Sequence, residues 1–183
     1  MIPSTEAIGL IELTSIARGL KVLDGMVKRA LITVVQAGTT HPGKYTVLVR
    51  GQVEAVGLAL AEGRVLAGET LIDRVFLPNP HEALLHGLES SFATPEDALL
   101  VVETYGVASA IRGADAALKM SAVGLCALGL ARDLGGKGYF TVCGALHDLE
   151  AAEQAAVEAI GAGLLLATEK IARPHGDTLL GIR

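Results

Sequence analysis

The segment Ala7-Ile8-Gly9-Leu10-Ile11-Glu12-Leu13-Thr14 returns as Ala98-Leu99-Leu100-Val101-Val102-Glu103-Thr104-Tyr105, an offset of 91 positions. The same offset carries Asp24 onto Asp115 and Lys28 onto Lys119. Further along, Gly43-Lys44 matches Gly136-Lys137 and Gly51 matches Gly144 at 93, and Pro80-His81 matches Pro174-His175 at 94. A spacing that slips only at loop positions marks a duplicated domain, because connections tolerate insertions and element interiors do not. The chain therefore reads as two tandem domains, residues 1–91 and 92–183.

Each copy reads strand, helix, strand, strand, helix, strand. In the first copy the elements are expected over 7–13, 15–28, 31–37, 45–50, 52–67 and 71–77; in the second over 98–104, 107–120, 123–131, 139–143, 149–162 and 164–171. Thr14 or Ser15 supplies an N-cap hydroxyl for the first helix. Ile16, Leu20, Leu23 and Val27 are spaced as one helix face, and their counterparts Val107, Ile111, Ala114 and Leu118 repeat it, so both copies are expected to bury that face. The order βαββαβ makes an α+β, ferredoxin-like sandwich in each half. Between the halves, a short helix over 80–88 is expected to lead into a polar linker, residues 89–95.

With 183 residues, net charge −5, 51% apolar and 3% aromatic content, and a mean hydropathy of +0.48, the chain is too apolar for two small domains to stay apart from other copies; burial by association is expected. The acidic balance and the lack of a basic stripe with stacking aromatics exclude a nucleic-acid surface. Apolar runs such as 159–167 are shorter than the roughly 20 residues that cross a bilayer. The opening Met1-Ile2-Pro3-Ser4-Thr5-Glu6 lacks the basic and apolar regions of a secretory leader, so a cytoplasmic location is expected. Cys126 and Cys143 fall in strand-like runs and read as buried, reduced packing residues.

Catalytic signatures are absent. Gly135-Gly136-Lys137-Gly138 superficially resembles a phosphate loop, but Ala131 replaces its first glycine, Gly138 its hydroxyl residue, and a strand follows in place of a helix. Asp24 and Asp115 each precede a lysine by four residues, the spacing of a helix-surface ion pair. His86 and His147 are isolated and read as surface residues.

The repeated segments, together with Ala114-Asp115-Ala116-Ala117-Leu118-Lys119, the glycine-lysine loops and the closing Arg173-Pro174-His175, resemble the bacterial microcompartment (BMC) shell-protein domain, in tandem over nearly the whole chain. Through Glu12-Leu13-Thr14-Ser15-Ile16-Ala17 and Pro42-Gly43-Lys44 the resemblance is strongest to trimer-forming tandem shell proteins of the propanediol-utilisation type. It implies a homotrimer forming a pseudohexameric tile that packs edge to edge with other shell proteins around lumen enzymes. It also implies that the loops between the second and third strands line a central pore for small metabolites. Here these are Gly38, Thr39, Thr40, His41, Pro42, Gly43 and Lys44 in one copy, and Arg132, Asp133, Leu134, Gly135, Gly136 and Lys137 in the other. Lys44 and Lys137 then either bias the pore toward anions or merely flank solvated loops. Lys28 and Lys119 match the family's edge lysine and Arg173 its edge arginine, whereas the first copy has Asn79 at that position.

Relatives of the propanediol-utilisation type carry a cysteine just before Pro-Gly-Lys, and three such thiolates hold an iron-sulfur cluster. His41 stands there in this chain, which argues against that cofactor. A metal-free polar pore is the first reading; three His41 rings binding a divalent metal or an anion is the second. The expected function is non-enzymatic: a shell tile with selective passage. The alternatives from other classes are a redox or metal conduit at His41 and a ferredoxin-like small-molecule sensor.

Overall fold

The computed structural model describes residues 6–95, 97–131 and 134–182. Arg132 and Asp133, expected in the second loop, and the opening residues 1–5 lie outside these. Residues up to Pro80 form one compact unit and residues from His81 onward another.

The first unit runs β1 (Glu6–Leu13), α1 (Ile16–Arg29), β2 (Thr33–Thr40), β3 (Lys44–Gln52), α2 (Val53–Ala67) and β4 (Leu71–Leu77). Its four strands pair antiparallel in the order β2-β3-β1-β4, the ferredoxin-like arrangement the element order predicts. β1 is central and buried on both faces apart from Glu6, which is why residues 7–11 are a continuous apolar run; Glu12 is buried beyond it. Ser15 caps α1, its hydroxyl accepting the Arg18 N–H at 3.2 Å. Lys28 and Arg29 close the helix with charge suited to its C-terminal dipole.

The second unit repeats the plan: β5 (Ala98–Thr104), α4 (Val107–Met120), β6 (Gly124–Leu130), β7 (Gly138–Gly144), α5 (Leu146–Ile160) and β8 (Leu165–Ile171), paired in the order β6-β7-β5-β8. The short helix α3 (Glu82–Leu88) packs on β6 and α4. The stretch 89–95 is anchored as well, with the Ala93 N–H donating to the Leu125 carbonyl at 2.7 Å. A 3-10 segment, Gly176–Ile182, covers β5 and β7 where Ile182 meets Leu99, Cys126 and Cys143.

The two units fill the same helix-sheet contact with reciprocal side chains. In the first, Gly19 of α1 lies flat on Tyr45 of β3: a Cβ at Gly19 would stand 2.4 Å from the ring. At the equivalent positions of the second unit the helix carries Ala110 and the strand Gly138, whose own Cβ would stand 2.7 Å from that of Ala110. One turn along, Val22 and Val47 share the first core, whereas the second pairs Gly113 with Phe140, the ring 3.1 Å from a Cβ placed on the glycine. The bulky ring of the strand sits one turn further along in the second unit, and in each unit a helix glycine makes room for it.

One expectation fails. The stripe Ile16, Leu20, Leu23 and Val27 is not buried as a face: α1 buries Gly19, Val22 and Met26, Leu23 alone of the stripe packs against the core, and Ile16, Leu20 and Val27 are 42%, 55% and 43% exposed. In the second copy the counterparts Val107, Ile111, Ala114 and Leu118 are all buried.

Gly19→Leu is expected to overpack the Tyr45 contact and destabilise the protein by roughly 1–3 kcal/mol. The double variant Gly19→Ala, Tyr45→Gly, which copies the second unit, should lose less than its two single changes summed. Thermal unfolding of the four proteins measures this.

Candidate functional site

In each unit the second and third strands form a hairpin whose turn carries the expected loop residues. In the first, Thr39 pairs with Tyr45 and Thr40 with Lys44, and the turn His41-Pro42-Gly43 is closed by the Gly43 N–H donating to the Thr40 carbonyl at 2.9 Å. Gly43 has φ +96°, a conformation other residues avoid. His41, Pro42, Gly43 and Thr39 are exposed, and Thr40 is buried. In the second hairpin the Lys137 N–H donates to the Leu134 carbonyl at 3.1 Å. Gly135 and Gly136 there have φ +61° and +83°.

Neither loop lysine is simply solvated. Lys44 Nζ lies 3.8 Å from Oε2 of Glu12, whose side chain has no solvent exposure. Lys137 Nζ donates to Oε1 of Glu103 at 2.8 Å, and both partners are well exposed, 45% and 37%. Each glutamate sits near the end of its unit's central strand, so β1 and β5 present a carboxylate to the turn at equivalent places. These pairs cancel most of the field that two isolated lysines would project. Sequence reasoning used Glu12 and Glu103 only to fix the repeat offset. The signal that would have paired them with the lysines was there: Glu and Lys recur together in both copies. A shallow pocket of about 120 Å³ sits beside the second pair, lined by Val101, Glu103, Leu134, Lys137, Gly138 and Tyr139.

The remaining expected positions lie elsewhere on each unit. Lys28 Nζ donates to Asp24 at 2.6 Å, with both side chains exposed, as the four-residue spacing predicts. Lys119 makes the same 2.6 Å contact with Asp115, but here the carboxylate is only 7% exposed and also accepts the His81 N–H at 2.8 Å. Asn79 is exposed between β4 and α3. Arg173, likewise exposed, has φ +52°.

A BMC domain model matches residues 7–80 and again 98–174. The chain is 39% identical over 173 residues, 93% of its length, to the bacterial microcompartment shell protein PduT of Citrobacter freundii, covering 94% of that protein. The chain belongs to the BMC-domain family. It is a bacterial microcompartment shell protein carrying the domain in tandem. The carboxysome shell protein CcmK2 of Thermosynechococcus vestitus is 36% identical over 83 residues, 43% of this chain and 80% of that one, about the span of a single copy. A crystal structure of a microcompartment protein from Desulfitobacterium hafniense superimposes with a TM-score of 0.85 at 35% identity, covering 97% of this chain and 99% of that one. The fused, permuted hexameric shell protein MSM0275 shares the fold, with a TM-score of 0.61 at 21% identity over 87% of this chain and 86% of that one.

An iron-sulfur cluster, which the resemblance raised, finds no fitting donors in the first loop of this BMC protein. Its turn offers an imidazole and no thiol. Cys126 and Cys143 lie buried in the second unit's sheet. There the adjoining Cys143 and burial push the Cys126 thiol far above its ordinary range, so it keeps its proton. Among the described residues of one chain no cluster of three His, Cys, Asp or Glu side chains is placed to hold a metal.

The two loop pairs should respond unequally to mutation. Lys44→Met leaves the carboxylate of Glu12 in a site without solvent and is expected to cost roughly 1–3 kcal/mol. Lys137→Met frees an already wet Glu103 and should cost about 1 kcal/mol or less. Chemical denaturation at neutral pH compares them.

Proposed function

We propose that this chain is a structural tile of the microcompartment shell. Three copies close head to tail into a ring of six BMC domains, a pseudohexamer, that packs edge to edge with further shell proteins around the enzymes of the lumen. The observation that carries this reading is the tandem domain itself, matched twice in a chain that aligns almost end to end with PduT. The uncovered apolar stripe of α1 supports it, because a second copy is what such a face needs. Its role is enclosure and passage, with no chemistry of its own.

In this reading the turns bearing Thr39, Thr40, His41, Pro42, Gly43 and Lys44, and Leu134, Gly135, Gly136 and Lys137, surround a central opening for small polar metabolites. The pairing of Lys44 and Lys137 with glutamates makes the opening polar and close to neutral, selecting by size and hydrogen bonding more than by net charge. The passage works without a resident cofactor, His41 lending polarity and no metal. Lys28, Lys119, Asn79 and Arg173 lie on the outer rim, where Asn79 and Arg173 make alternate edges chemically distinct.

Light scattering after size exclusion should return the mass of three chains, and negative-stain images should show discs and sheets. A monomer at high concentration overturns the reading. Lys28→Ala and Lys119→Ala are expected to leave the trimer mass unchanged and to abolish or sharply reduce sheets; sheets at wild-type density remove these lysines from the rim. Metal analysis tests the passage. Equal, trace metal in wild type and His41→Ala supports the metal-free reading, and one metal ion per trimer lost in the variant overturns it.

A further inference from the structure

The second unit contains a junction whose counterpart in the first has only one side. At the start of the second unit, His81 follows Pro80 in a tight turn: the His81 Nδ1 accepts the Ala83 N–H at 3.2 Å and its carbonyl accepts the Leu84 N–H at 3.0 Å. The His81 N–H points at Asp115 of α4 and donates to Oδ1 at 2.8 Å, while Lys119 holds the other oxygen. Around this contact the stripe Val107, Ile111, Ala114 and Leu118 is buried and Asp115 is 7% exposed.

Both halves of the junction recur in the repeat, and both are built alike. Pro174-His175 makes the same turn, His175 Nδ1 accepting the Asp177 N–H at 3.2 Å and its carbonyl the Thr178 N–H at 2.9 Å. Asp24 repeats Asp115 down to the 2.6 Å lysine pair on Oδ2. Yet Asp24 is 59% exposed, His175 is exposed, and the stripe beside Asp24 is the uncovered one. A histidine turn prepared to donate and a helix prepared to accept thus stand on the surface of each copy.

We infer that His175 of one copy donates its backbone N–H to Asp24 of the next, seating the His175–Thr178 turn over α1 as the His81 turn is seated on α4. The inference rests on the ring proposed above and names the contact that closes it. The contact is heterologous: the turn and the helix are different surfaces of each copy, and contacts of that kind close rings. It assigns Asp24 a task that a surface ion pair with Lys28 does not include, as acceptor in a charge-assisted hydrogen bond between chains.

The test uses the full chain carrying Asp24→Cys and His175→Cys, treated with a short bismaleimide under native conditions and resolved on a denaturing gel. Inter-chain dimers and trimers from the double variant, absent from each single variant, are expected. Trimers by light scattering with no inter-chain product, or a product confined to one chain, overturn the contact and leave the ring standing. Absence of self-association by the wild-type chain overturns both. Independently, Asp24→Ala should raise the concentration at which trimers dissociate about tenfold or more, as loss of a hydrogen bond to a charged group implies. Asp24→Asn, which keeps an acceptor, should raise it less. An Asp24→Ala trimer as tight as wild type overturns the contact.

Discussion

Each unit depends on a central strand that is largely shielded from water, β1 everywhere but at Glu6 and β5 everywhere but at Val101 and Glu103. β1 and β5 are hydrogen-bonded on both sides, to β3 and β4 in one unit and to β7 and β8 in the other. Such a strand cannot slip by one residue without exchanging the side chains that face the helices with those on the opposite face, Glu12 or Glu103 among them. Its rigidity is passed on to whatever is attached at its ends. Glu12 and Glu103 are attached there, and through them the hairpin lysines are tied to the best-fixed element of each domain.

The differences between the copies say as much as their likeness. α4 is buried along the stripe that α1 leaves open, and the same aspartate-lysine pair is nearly dry in one copy and wet in the other. The domain plan is common to both; what has diverged is how much of the equivalent helix face lies exposed. For a two-domain chain in a ring of six domains, half of the domain-domain contacts lie within a molecule and half between molecules. In the proposed ring the wet and dry versions of one motif correspond to a contact between molecules and a contact within one.

Much of this was legible in the sequence. Repeat offsets and alternation of period placed every strand and helix, because the continuous apolar strands and amphipathic helices are local signals. Boundaries moved where pairing decides them: β2 begins at Thr33 and extends to Thr40, since Leu31 is 96% exposed and the hairpin ladder runs up to the turn. The stripe of α1 was read as a buried face, yet only Leu23 packs on the core and Ile16, Leu20 and Val27 are exposed, since periodicity marks an apolar face and carries no information about what covers it. The Glu12–Lys44 and Glu103–Lys137 pairs escaped notice because they join residues more than 30 positions apart, beyond any helical or strand spacing. Tyr45 and Gly138 look like unrelated residues until the helix facing them is known.

That last exchange bears on the history of the duplication. Restoring sequence identity between the halves would have to change Gly19 and Tyr45, or Ala110 and Gly138, together, since either alone leaves a clash or a hollow. Recombination that copies a short tract from one half of the gene to the other would separate the partners and be purged. Coupled drift of this kind works as a ratchet: once the halves had parted, each was held to its own place in the chain.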